Sequence, residues 1–172
     1  MQLTIRSHSA LRAASVAAAL LVLGTGVPRA QTDDVARGRD IWTNKAGCTQ
    51  CHGWAGDGAH GFHSEGLAPS LRLTQLTRDQ IRMTIQCGRP GTPMPHFDRF
   101  AYTDKRCYGM TEADLGSAVP NRAEVTLQSY EIDALADYIA TKIKGAGPVT
   151  RAQCTDFFGA AAGSRCDSYP NQ

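Results

Sequence analysis

The sequence predicts a helical chain without a sheet. Two observations carry that reading. Three segments place apolar residues at the spacing of one helix face, and no run reads as a convincing series of strands. The 172 residues suit one domain, with some left over for export and decoration. Hydrophobic residues at 42% and charged residues at 20% are ordinary for a soluble protein, but aromatics at 7% leave only a modest core of side chains.

Residues 1–30 read as a secretory signal peptide. Arg6 and Arg12 give the positive start, the apolar run Ala13 to Leu23 follows, and Gly24-Thr25-Gly26 supplies small residues. The run is short of the roughly 20 apolar residues that cross a bilayer. Ala30 is the candidate last residue, although Pro28 suits the cut poorly; the alternative is an uncleaved anchor. A cleaved signal places the protein in the periplasm with no stable membrane insertion. The net charge is +2, and residues 1–30 hold three basic residues (Arg6, Arg12, Arg29) and no acidic one, so cleavage leaves −1. No basic stripe marks a nucleic-acid binder.

The first helix is expected over 33–46, capped by Asp33 or Asp34, with Val35, Gly38, Ile41 and Trp42 on one face and Gly47 as its stop. Residues 53–70 are rich in Gly, Ala, Ser and His and read as loop. The second helix starts at Thr77, where Gln80 three residues on completes a capping box. Its apolar side is Leu76, Ile81 and Ile85, and Cys87-Gly88 ends it. Pro90, Pro93 and Pro95 make 88–97 a stiff, non-helical strap. Residues 98–125 show no firm periodicity, and a loop of that length is often functional. The third helix spans about Ser129 to Lys144 on a stripe of Leu127, Ile132, Leu135, Tyr138, Ile139 and Ile143. The expected organisation is therefore a signal at 1–30, a domain at 31–144 with an insertion at 98–125, and a C-terminal extension at 145–172.

The chemistry sits in Cys48-Thr49-Gln50-Cys51-His52. Two thiols three positions apart on one turn reach the two vinyl groups on one haem edge, and the next residue turns its imidazole to the iron. Thioether bonds keep the cofactor attached in a dilute exterior compartment, and a porphyrin adds the apolar surface that the side chains lack. A thioredoxin-like pair would need a βαβ setting. A zinc site would need a second cysteine pair at similar spacing, which Cys87 and Cys107 do not give.

With that motif, Gly38-Arg-Asp-Ile41-Trp42, His52-Gly53, Ala68-Pro69-Ser70-Leu71, Pro93-Met94-Pro95 and Glu131 to Ile139 resemble the class I c-type cytochromes, in that family's order, over roughly residues 33–144. The resemblance implies an all-α cytochrome c-like fold, three or more helices around one covalently bound haem, with the first and last helices crossing. It implies that Gly38 admits the last helix near Tyr138. It also implies that the Pro69 carbonyl accepts a hydrogen bond from His52 Nδ1, a contact that orients the ring and raises its basicity.

Met94 is the expected second axial ligand, 42 residues after His52 between two prolines; a soft thioether stabilises reduced iron. Met110 is the rival methionine, and Met83 reads as core. His60, His63 and His96 offer bis-histidine ligation, and otherwise read as solvated loop residues. The six cysteines all follow the signal, as suits an exported protein. Apart from Cys48 and Cys51, four remain, and sequence does not choose among their three pairings. The favoured one joins Cys87 to Cys107, stapling the strap, and Cys154 to Cys166, closing the tail. Tyr102 and Tyr108 suit an interface.

The function expected is one-electron transfer between redox partners by a single haem c, held by Cys48, Cys51, His52, Pro69 and Met94, and not catalysis. The alternative is a dedicated haem subunit, or electron-acceptor partner, of an exported dehydrogenase or oxidase. A peroxidase-like or sensor protein would need an open iron position.

Overall fold

The computed structural model describes residues 29–58 and 68–171, together with the isolated Gln2. The signal-peptide reading therefore lies almost wholly outside the described residues, as do His60 and His63. Among the described residues six α-helices follow in order: α1 Arg29–Asp40, α2 Cys48–His52, α3 Arg78–Cys87, α4 Glu112–Leu115, α5 Ser129–Tyr138 and α6 Arg151–Phe158. Among the described residues there is no strand, only two isolated bridges, His96 to Arg122 and Cys107 to Met110. None of these helices is long and apolar enough to cross a membrane.

Helix α1 starts earlier than its acidic residues suggested. Asp33 and Asp34 lie inside it rather than at a cap, and Asp34 pairs with Arg37 one turn on, at 2.7 Å. Both long helices loosen at their C-terminal ends into one π-helical turn, Ile41–Lys45 after α1 and Ile139–Ile143 after α5. The wider turn is closed by Ala46 N–H to the Ile41 carbonyl and Lys144 N–H to the Ile139 carbonyl, each at 2.8 Å.

Helices α1 and α5 meet at Gly38. A Cβ there would fall 2.1 Å from the Ala134 carbonyl oxygen and 2.6 Å from Tyr138 Cβ, so only glycine lets the backbones come this close. The expected partner, Tyr138, is thus the one found. Ile41, Trp42, Ile132, Leu135, Ile139 and Ile143 are buried around this contact, and α3 adds Ile81 and Ile85. The Thr77 capping box opens α3 as expected. Arg78 and Arg82 then tie α3 to Asp133 and Asp137 of α5 at 2.8 and 2.9 Å.

The 98–125 segment is not an unstructured loop. It carries α4, begun by Thr111 and Asp114 in a capping box, and a 3-10 turn at Gly116–Ala118. Its own small core is Cys87, Ala101, Tyr102 and Cys107. The favoured cysteine pairs are the ones formed, Cys87–Cys107 and Cys154–Cys166. The extension likewise folds, as α6 and two 3-10 turns around the second bridge.

Candidate functional site

Gly47 takes a left-handed conformation (φ 64°) that ends the π-turn after α1 and lets α2 begin at once. All of α2 is the Cys48–His52 turn, and Gly53 ends it at φ 73°. Cys48 and Cys51 are the two cysteines outside the disulfides. Cys48 packs against the main core and Cys51 lies exposed. Although part of its surface is accessible, Cys48 is crowded enough that burial pushes its thiol up to about 12, with Cys51 adding to the rise.

The imidazole of His52 is backed by Trp42, with ring centroids 6.0 Å apart. Trp42 is fully buried, and its indole N–H donates to the Trp54 carbonyl at 3.2 Å, which ties α1 to the loop beyond the motif. Burial pushes the His52 pKa down, and the Pro69 carbonyl opposes that by favouring the protonated ring. The contact falls outside good hydrogen-bond geometry, so Nδ1 is a buried atom without a completed bond. Pro69 thus lies beside His52, without the completed hydrogen bond that the resemblance implied.

Met94 is half-buried and packs against the same main core as Cys48. Its backbone is held by Thr92 Oγ1, at 3.3 Å from Met94 N, and by Arg89 N–H, at 3.2 Å from the Met94 carbonyl. Met83 is a packing residue, as expected, beside Cys87 in the insertion's core. Met110 is half-buried and closes a turn onto the Cys107 carbonyl.

His96 is not a solvated loop residue. It is buried, with Nδ1 2.8 Å from the Asp98 carbonyl and its ring edge-on to Tyr102. A ring engaged in this way serves the strap. Tyr102 is likewise buried rather than presented to a partner, and the half-exposed Tyr108 spends its hydroxyl on the Gly88 carbonyl.

Arg72 went unnoticed in the sequence. Its buried guanidinium donates to the carbonyls of Ala55, Ala146, Gly147 and Pro148 and to Gln153 Oε1, at 2.6–3.2 Å. Burial lowers its pKa, and Asp57 works against that. Trp54 sits among Phe157, Phe158 and Tyr169, with its indole N–H on the Tyr169 hydroxyl at 3.2 Å. The extension is therefore clamped to the loop that follows His52.

The donor set fits a haem. Two thiols outside the disulfides lie on one turn, an imidazole follows directly, and its second nitrogen is enclosed opposite a carbonyl. Among the described residues no three His, Cys, Asp or Glu side chains gather as a cage for a metal ion.

Residues 33–112 match the family described as cytochrome c oxidase, cbb3-type, subunit III. The match, over just under half of the chain, supports a class I c-type cytochrome domain. The all-α architecture of the described residues is consistent with a cytochrome c-like fold, and the family match supports haem binding. Among curated proteins nothing matches it. Among solved structures, a reducing HAO-like protein complex of Kuenenia stuttgartiensis is similar at 17% identity and a TM-score of 0.43. The likeness covers 65% of this chain and 44% of that one, so the cytochrome spans under half of that protein's length. It is too slight to bear on function.

Proposed function

We propose that this cytochrome is an exported electron carrier. It holds one haem through thioether bonds from Cys48 and Cys51, with His52 and Met94 as axial residues, and passes single electrons between redox proteins of the periplasm. The observation that carries the reading is the single turn Cys48–His52, whose two thiols stand outside the disulfides while the other four cysteines are paired. When bound, the haem supplies a one-electron couple between ferrous and ferric iron.

The chain's own residues do the rest. Cys48 and Cys51 anchor the cofactor edge, and Trp42 limits how far the His52 ring tilts. With haem bound, the Pro69 carbonyl would accept the Nδ1 proton, leaving Nε2 for the iron and raising its basicity. Met94 offers a soft sulfur that favours the reduced state. Were His52 and Met94 both to hold the iron, no position would remain open to a substrate, which would argue against peroxidase-like or sensor chemistry.

A second reading makes the protein a dedicated haem subunit, or acceptor partner, of an exported dehydrogenase or oxidase. The two ordered disulfide lobes support it, and so does the family's description as an oxidase subunit. Co-purification with a larger enzyme separates it from a free shuttle.

The test is a pyridine haemochrome assay with intact mass on protein made in a host competent for haem ligation. One haem that stays with the denatured polypeptide is expected. A colourless protein with the mass of bare polypeptide overturns the proposal. Met94→Ala should remove the sulfur-to-iron absorption band of the ferric protein and lower the potential.

A further inference from the structure

Among the described residues, two other than glycine have positive φ, and both are tyrosines of the insertion: Tyr102 at 61° and Tyr108 at 56°. A bulky aromatic residue in the left-handed region is strained, and such strain persists only where the surroundings hold it. Both tyrosines put it to the same use. The Tyr102 hydroxyl donates to the Cys87 carbonyl and the Tyr108 hydroxyl to the Gly88 carbonyl, each at 2.8 Å. These are consecutive carbonyls at the hinge where α3 gives way to the strap.

The hinge and the methionine are in direct contact. Gly88 has φ 65°, and a Cβ on it would lie 2.7 Å from the Met94 carbonyl oxygen and 2.8 Å from the Pro95 carbonyl carbon. The strap therefore folds back onto Gly88, whose carbonyl Tyr108 holds, and Arg89 N–H donates to the Met94 carbonyl at 3.2 Å. Its far side is held by the same insertion. Gly91 N–H donates to the Ala118 carbonyl at 2.8 Å, His96 N–H to Asn121 at 3.0 Å, and Ala123 N–H to the His96 carbonyl at 3.0 Å. The Cys87–Cys107 bridge fixes the chain between the tyrosines to the residue before the hinge.

We propose that Tyr102 and Tyr108 are positioning residues for Met94: their hydroxyls lock the hinge carbonyls so that the strap keeps its thioether on the haem iron. The role rests on Met94 being the axial residue. It assigns the 98–125 insertion a task, which is to make ligation resistant to displacement. A side chain that only added stability would leave the iron's ligation unchanged once the protein is folded. These two act through the strap, so their loss reads out at the iron.

The experiment uses the ferric holoprotein with Tyr102→Phe, Tyr108→Phe and both together, which keep the rings and remove the hydroxyls. Added imidazole binds only where the methionine lets go, so its affinity reports how firmly the strap is held. Each lost hydroxyl is expected to raise imidazole affinity about fivefold, the worth of one ordinary hydrogen bond. The double variant should approach the product of the two and have a lower potential. Tyr130→Phe, an exposed ring beneath Arg37, should behave as wild type. Wild-type imidazole affinity in the double variant, with the sulfur-to-iron band present in both, overturns the positioning role and leaves the ligation standing. A wild-type protein without that band overturns the ligation, and the role with it.

Discussion

The insertion at 98–125 is tied to the helical body by its own disulfide, whereas the extension at 145–172 closes its disulfide on itself and is tied by side chains. Cys107 reaches back 20 residues to Cys87 at the end of α3. Cys154 and Cys166 lie 12 residues apart within the extension. What fastens the extension is the Arg72 guanidinium, the ring cluster around Trp54 and Arg39 of α1, which donates to the Asp156 and Phe157 carbonyls at 2.8 and 3.2 Å. The two lobes also press on different parts of the domain, the insertion on the Met94 strap and the extension on the loop after His52 and on α1. On the proposed ligation by Met94, the same covalent device thus serves the strap in one lobe and only the lobe's own fold in the other. That difference can be broken experimentally.

The largest effect is expected from Arg72→Met, which keeps the apolar stem and removes every donor. Four backbone carbonyls and Gln153 lose their charged partner in a site that is mostly shut off from water. Buried acceptors left without donors cost more than the bonds contributed, so a loss of about 4 kcal/mol in unfolding free energy is expected. Trypsin should then cut at Arg151 or Arg165 faster than in wild type, while the ferric sulfur-to-iron band stays. A band that weakens along with the proteolysis would mean that the lobes are not independent.

Next come the disulfides. On the chain-entropy model, loops of 20 and 12 residues contribute nearly the same, about 3 kcal/mol each. Stability alone therefore cannot tell the lobes apart, and ligation must. Cys87→Ala with Cys107→Ala should raise imidazole affinity for the ferric iron. Cys154→Ala with Cys166→Ala should leave it unchanged at a similar loss of thermal midpoint. Equal imidazole responses from the two pairs would erase the distinction.

Much of this was legible in the sequence because it rests on local rules. The Cys48–His52 spacing, the Thr77–Gln80 cap and the stripe ending at Ile143 each depend on residues within a few turns. Gly38 was read through the resemblance, and the close approach of Ala134 and Tyr138 gives its reason. What escaped is non-local. Nothing around Arg72 announces that it will gather carbonyls from residues 55 and 146–148. Tyr102 and Tyr108 look like surface tyrosines until the disulfide brings them to the end of α3. The start of α1 was misplaced because Asp33 and Asp34 make good caps, yet Asp34 also pairs well inside a helix with Arg37.

The smallest effect belongs to the pair of Glu131 and Lys45, which joins the start of α5 to the turn after α1 and serves as a baseline. Glu131 is buried at the start of α5, where it accepts the Gln128 N–H at 2.9 Å and pairs with Lys45 beyond α1. Burial alone would raise its pKa, but Lys45 and the Gln128 N–H outweigh burial and hold it below the usual carboxylate range. A carboxyl depressed in the folded state stabilises fully above its unfolded pKa, and that contribution is lost as pH falls through the folded value. Lys45 is about two-fifths exposed, so solvent screens the pair and its worth is about 1 kcal/mol. Glu131→Gln should lower the thermal midpoint by a few degrees at pH 7. Between pH 5 and 3 the wild type should lose more stability than the variant, so that the two curves converge in acid. Parallel curves would mean that Glu131 is not charged in the folded protein. A change in imidazole affinity would mean that strain at the α1–α5 contact reaches the strap, and would dissolve the separation between the helical body and its two lobes.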